Sequence, residues 1–338
     1  MGAALAATPW GLLQIHARQD ASLQTLRGVS MGTGWSLRVV NAEFRPLSAL
    51  QQLVASTLAQ VVAQMSHWDA DSVLSGWNQA PAGRVYHLPP EFAQVLDAAA
   101  HWHAASDGAY DACLGALVQA WGFGPRAQPQ ADHAGVIPSP WVIDTARQHC
   151  GWHRVQWDAR ARSLWQPGGV QLDLSGIAKG FAVDWVVQQL QQAGWADGLL
   201  EIGGELKAWG LRPDGQPWHA ALGLGEDVDP LRISLREGAL ATSGDCWHGF
   251  EHAGVRYSHT IDPRTGWPVA NPLCSVTVWH AQCMHADALA TILTVLGAEA
   301  GWDFAVRHGV AAALQAQAGS TLRCTPAWEA RWAKVSDV

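Results

Sequence analysis

The sequence predicts an α+β fold: one large domain with a mostly antiparallel sheet and helices packed against it. Three observations predict this. Short runs of alternating apolar character recur along the chain, among them Trp35–Val40, His219–Leu222, Leu231–Leu235 and Cys274–Trp279. Helical stretches stand between them without the regular strand-helix alternation of a parallel sheet. No internal repeat or compositional break divides the 338 residues, so a single domain is expected over residues 25–335.

Composition narrows the function classes. Apolar residues make up 49% and charged residues 15%, enough for a substantial core. A net charge of −8 argues against nucleic acid or an anionic membrane as the main partner. No Cys-x-x-Cys pair occurs and the 15 histidines are scattered, so no zinc site is predicted. The six cysteines are widely spaced and read as buried thiols, although Cys274 and Cys283 could pair across a hairpin. Residues 1–24 form an apolar lead in which Ala3–Ile15 has the length of a signal-peptide core, without a basic start. No later segment is expected to span a bilayer.

Taken in order, Gly28–Val40 holds a Gly-rich entry, Met31-Gly32-Thr33-Gly34, into an alternating strand. Leu47–Met65 has helical periodicity. A polar turn follows at 66–72, where Asp71 or Ser72 is a candidate cap for a short helix and Trp68 is either a stacking surface or an ordinary surface tryptophan. Pro89–Ser106 reads as a helix that ends at Asp107-Gly108, residues 126–138 as a surface loop and 140–149 as a helix. Val170–Gly180 reads as a strand, a Ser175-Gly176 turn and a helix start. Such a turn aims backbone N–H groups at an anion, and Lys179 adds charge where a phosphate would lie; the bland alternative is a tight turn with an exposed lysine.

Leu199–Glu205 reads as a buried strand ending in a glycine pair, and Tyr257–Pro268 as a strand broken by a Pro-Arg-Thr-Gly turn. His259 and Asp262 flank that break as a candidate base and orienting carboxylate, or as structural residues. Gln282–Leu296 is an apolar helix stopped by Gly297. Asp287 and Thr291 share one face of it, four residues apart, as oxygen ligands suited to a hard cation or as a dipole-favoured acid and a packing residue.

Together these motifs resemble the ApbE family, the FAD:protein FMN transferases. The resemblance rests on Met31-Gly-Thr, Met65-Ser-His-Trp with Asp71-Ser72, Gly108-Ala-Tyr-Asp, Trp121-Gly-Phe-Gly-Pro and Asp173-Leu-Ser-Gly-Ile-Ala-Lys-Gly. It continues through Ile202-Gly-Gly-Glu, Ala241-Thr-Ser-Gly-Asp, Ser258-His-Thr-Ile-Asp-Pro-Arg-Thr-Gly and Ala286-Asp-Ala-Leu-Ala-Thr. The resemblance implies Mg²⁺-dependent transfer of FMN from FAD to a Thr or Ser hydroxyl of an acceptor flavoprotein, through a phosphoester bond, with release of AMP. It places Mg²⁺ on Asp287, Thr291 and the Gly176 carbonyl. It places FAD against Met31, Trp68, Ala109, Tyr110, Asp111, Asp173, Lys179 and Ile261, with His259 as base and Asp262 as its assistant.

The family also implies an acceptor in a membrane redox complex and a periplasmic or inner-membrane location, with the cytoplasm as the alternative. Trp68 stands where the family usually has Tyr, Glu201 where Asn is common, Ala112 and Ala116 where Pro is frequent, and Cys113 where Thr is frequent. Two other readings use the same residues: an FAD pyrophosphatase giving FMN and AMP, and a non-catalytic FAD-storage protein.

Overall fold

The computed structural model describes residues 22–125, 137–223, 230–244, 249–270, 273–317 and 320–332. Nearly all of the apolar lead and most of the 126–138 loop lie outside these residues. An eight-stranded sheet is the frame. Its strands, in spatial order, are Leu23–Ser30, Thr33–Val40, Gly198–Ile202, Glu205–Trp209, Gly238–Ser243, Ser275–His280, Ala311–Gln315 and Arg323–Cys324. Every neighbouring pair is antiparallel, as the α+β reading expects. Spatial order equals chain order within the sheet, so each strand folds back beside the last and long insertions sit between some of them.

Two tight turns set the register at one end. Ser30 pairs with Thr33, which leaves Met31 and Gly32 as a two-residue turn with φ of 53° and 73°. Ile202 pairs with Glu205 around Gly203 and Gly204, whose φ values are 59° and 104°. Positive φ at both central positions matches the twist of a two-residue hairpin, and Gly supplies it without strain. The sequence reading of Leu199–Glu205 as one strand is therefore corrected: it is a hairpin, and Glu205 starts the return strand.

Eight α-helices occur among the described residues: α1 Leu47–Met65, α2 Val73–Asn78, α3 Pro90–Ala105, α4 Gly115–Ala120, α5 Pro140–Arg147, α6 Ala178–Gln192, α7 Cys283–Arg307 and α8 Pro326–Trp332. Helices α1, α6 and α7 pack on one face of the sheet and bury Leu37, Val39, Leu200, Ile202, Val276 and Val278. The opposite face takes α8 and a hairpin of Trp218–Leu222 with Leu231–Leu235, burying Leu199, Leu240 and Ala313. Neighbouring residues such as Leu199 and Leu200 face opposite layers, which is the period-two pattern at work.

Helix α7 breaks at Gly297 (φ 78°) and resumes, where the sequence predicted a stop. It is the one helix among the described residues long and apolar enough to cross a bilayer, but its apolar faces are largely buried within this domain. Cys274 is disulfide-bonded, while Cys113, Cys150, Cys283 and Cys324 are free. This corrects two expectations: Cys274 is not a thiol, and it does not pair with Cys283.

Candidate active site

At the end of the sheet bearing the Met31-Gly32 and Gly203-Gly204 turns, α6 begins against the first turns of α7. Residues 171–174 are extended but join no sheet. Their backbone is held by the Asn78 side chain, which bonds both Leu172 N–H (2.7 Å) and Leu172 C=O (2.9 Å), and by Asp173 N–H donating to Ala112 C=O at 2.8 Å. The predicted strand here is thus a strap pinned by a side chain and one backbone bond.

The strap turns through Ser175 and Gly176 into α6. Ile177, the residue before α6, offers no side-chain cap. Asp287 on α7 does that work from outside: its Oδ2 accepts from Gly180 N–H at 2.9 Å. Oδ1 has no protein hydrogen bond among the described residues. The two helices meet at glycines. A Cβ on Gly180 would lie 2.4 Å from the Cys283 carbonyl oxygen and 2.8 Å from Asp287 Cβ, and one on Gly176 would lie 2.9 Å from Thr291 Oγ1. Ser243, at its strand's end, approaches the same hydroxyl at 3.5 Å. Gly180→Ala is expected to destabilise the protein by about 1–3 kcal/mol through overpacking against backbone. Urea unfolding checks this; an unchanged midpoint would mean the α6–α7 contact can relax.

The structure therefore brings Gly176, Asp287 and Thr291 together, as the sequence proposed. Among the described residues no cluster of three or more His, Cys, Asp or Glu side chains is placed to hold a metal ion. Among the described residues, a cation here would have one carboxylate with hydroxyl and carbonyl oxygens. That donor chemistry suits Mg²⁺, which keeps several waters and takes few protein ligands.

Lys179, expected on a phosphate, is held by a residue the sequence reading did not assign. Its Nζ donates to both Glu205 oxygens, at 2.8 and 2.9 Å. Glu205 is 1% exposed. A charged residue ending a buried run was the available signal, since buried charge needs a partner. Burial opposes the Lys179 ammonium, but Glu205 and Asp287 more than reverse this and hold its pKa above the usual value. Burial raises the Glu205 pKa against the pull of Lys179. Burial, then the Glu205 charge, push Asp287 up to about 7, against Lys179 and the Gly180 N–H. Glu201 is raised by burial and by Glu205 while accepting from Gly204 N–H at 2.8 Å.

Two buried carboxylates thus share one ammonium, which leaves net negative charge where a cation would sit. The sign for stability follows directly. A carboxyl with a raised folded pKa stabilises the fold when protonated, and loses that contribution as pH rises from its usual range through about 7. In EDTA, the melting temperature is expected to fall between pH 5.5 and 8.5, and Asp287→Asn to flatten that slope. Equal slopes in both proteins would overturn the assignment of this group.

The remaining FAD-site candidates divide. Asp173 lies 3.5 Å from His67 Nδ1 and accepts from Ser175 N–H, so the loop carrying Trp68 is tied to the strap. Trp68 is 68% exposed, a free aromatic face at the rim. Ser72, as predicted, caps α2 by accepting from Ser75 N–H at 3.0 Å. Met31 sits at the hairpin tip, half-buried against the core. The Tyr110 hydroxyl is buried with no hydrogen-bond partner among the described residues. Burial, with Asp287 and Asp173, raises its pKa far above the usual value, so it lies within the field of the same carboxylates. An orphaned buried donor in an oxygen-lined site suits a water or ligand oxygen.

Asp111 faces inward instead. It accepts from Cys113 N–H (2.7 Å) and Trp152 N–H (2.9 Å) and lies 3.3 Å from His103, so its carboxylate staples loops. Ala109 packs on Val269 and on Val295 of α7, which sets the 258–269 segment beside that helix. Ile261 is buried against α4 and α5. His259 is half-buried at the mouth of this segment, edge-on to Phe123 with ring centroids 6.5 Å apart. Asp262 corrects the sequence reading: both its oxygens bind the Arg264 guanidinium, at 2.9 and 2.8 Å, so it organises its own turn and is not an orienting partner for His259.

Residues 31–314 match the ApbE family. The FAD:protein FMN transferase of Vibrio cholerae is 36% identical over 295 residues, covering 86% of each chain. That of Haemophilus influenzae is 32% identical over 87% of this chain and 86% of its own. The apo crystal structure of the Pseudomonas stutzeri flavinyl transferase ApbE superposes with a TM-score of 0.83 at 34% identity, over 91% of this chain and 96% of the other. Flavin transferase ApbE from Vibrio cholerae gives 0.81 at 32% identity, over 91% and 99%. By its sequence and its antiparallel fold, this chain belongs to the ApbE family.

Proposed function

We propose that this flavin transferase moves FMN from FAD to a Thr or Ser hydroxyl of an acceptor flavoprotein, in a Mg²⁺-dependent reaction that releases AMP. The observation that carries the reading is the α6–α7 junction, where the Asp287 carboxylate, the Thr291 hydroxyl and the Gly176 backbone meet beside Lys179. Asp287, Thr291 and Gly176 would hold Mg²⁺, which when bound neutralises pyrophosphate charge and orients it. Lys179 adds a fixed positive charge beside the pyrophosphate, and Trp68 offers a stacking face for a ring of FAD. In the transfer, the acceptor oxygen bonds to the FMN phosphorus as the P–O bond to AMP breaks, and the acceptor proton passes to His259.

The test is to incubate the protein with FAD, Mg²⁺ and a flavin-carrier domain, with EDTA and carrier-free controls. An FMN-sized mass gain on the carrier, abolished by EDTA, together with AMP, supports the transferase. AMP and free FMN without labelled carrier would favour a pyrophosphatase, and intact bound FAD a storage protein. The apolar Ala3–Ile15 stretch, of signal-core length, supports work outside the cytoplasm on a membrane redox complex; cell fractionation that finds the protein only in the cytoplasm would overturn that part.

A further inference from the structure

We propose that Glu205 is a positioning residue for the FAD pyrophosphate, acting through Lys179; this rests on the FAD-transferring reading of the site. The geometry is asymmetric in a way a purely structural pair need not be. The Glu205 side chain is 2% exposed while that of Lys179 is 34% exposed, so the carboxylate lies at the floor beneath a lysine that reaches partly towards solvent. Both Glu205 oxygens are used, at 2.8 and 2.9 Å, which fixes the direction of the ammonium as well as its distance.

An unrestrained lysine head loses rotamer freedom whenever it engages a ligand. Here that loss is incurred on folding. Glu205 is itself fixed, because it opens its strand directly after the Gly203-Gly204 turn and pairs with Ile202. The turn is tied in turn to the neighbouring strand by Gly203 N–H donating to Gly34 C=O at 3.2 Å. A buried ion pair of this kind contributes little net stability against an apolar replacement, so placement is what it supplies. The Lys179 proton left uncommitted by Glu205 is then directed at incoming phosphate oxygen before FAD arrives.

The inference predicts coupling. In EDTA, FAD affinity read by flavin fluorescence is expected to fall about tenfold in Lys179→Met and about five- to tenfold in Glu205→Gln. The double variant is expected to bind within about twofold of Lys179→Met, because Glu205 acts only through that lysine. Riboflavin, which has no pyrophosphate, is expected to bind all of them equally, an outcome that general loosening of the site would not give. Glu205→Asp keeps the charge but withdraws it by one methylene, so it should also lose affinity, and it serves if Glu205→Gln does not fold. Glu205 variants within twofold of wild type, effects that multiply in the double variant, or a parallel loss of riboflavin affinity would each overturn the proposal. Wild-type protein that binds FAD but forms no AMP with Mg²⁺ and carrier would instead overturn the transferase reading, and these binding outcomes would still decide whether Glu205 acts through Lys179.

Discussion

Asp287→Ala abolishes metal-dependent turnover, with an expected loss of at least about a thousandfold, while FAD affinity measured in EDTA stays within a few fold of wild type. Asp287 is the only carboxylate in the proposed metal set. Its Oδ2 is committed to Gly180 N–H, so the cation depends on the remaining oxygen together with Thr291 and Gly176. Neither a hydroxyl nor a carbonyl carries the charge that a hard cation needs to give up hydration. The variant should still fold. Loss of the cap on α6 costs about 1 kcal/mol, and removing a buried carboxylate whose pKa is pushed up to about 7 offsets it above that pH. The measurement is AMP release against Mg²⁺ concentration, beside FAD titrations in EDTA. Wild-type rates in Asp287→Ala would move the metal elsewhere. A fall in FAD affinity matching the fall in rate would mean that Asp287 contacts FAD directly.

How much of this was legible beforehand depended on the range of the interactions. Helix α1 was readable to the residue, and the 218–222 and 231–235 strands nearly so, because their periodicity is local and their burial is one-sided. The Asp287-Thr291 pair was visible because four residues make one helical turn. The strap at 171–174 was mistaken for a strand because an Asn78 side chain imitates a ladder partner, and no local signal encodes a contact 94 residues away. Glu205 was missed for a similar reason: its partner lies 26 residues upstream on another element. Asp262 was misassigned because its spacing to His259 suggested a pair, whereas a closer and stronger cation, Arg264, stands two residues on. Asp111 shows the limit of motif reading. It is an acid within the Gly108-Ala-Tyr-Asp motif, yet its carboxylate is consumed by two backbone N–H groups.

The second large effect concerns proton transfer. His259→Ala lowers the transfer rate by about a hundredfold or more and changes FAD affinity by less than about threefold. The histidine stands on the 258–269 segment, a different element from the α6–α7 junction proposed to hold the pyrophosphate, and that segment is seated beside α7 by the packing of Val269 on Ala109 and Val295. Removing the ring should therefore leave FAD and metal in place and remove only the group that takes the acceptor proton. Because Asp262 is held by Arg264, Asp262→Asn should lower the rate far less than His259→Ala, acting only through a looser 262–266 turn. Single-turnover labelling of a carrier domain, followed by intact mass across pH, separates these cases. A base leaves its mark as a rate that rises with pH in wild type and a flat, slow profile in His259→Ala. If His259→Ala instead raises the FAD dissociation constant as much as it lowers the rate, the ring binds flavin or ribose and another group takes the proton.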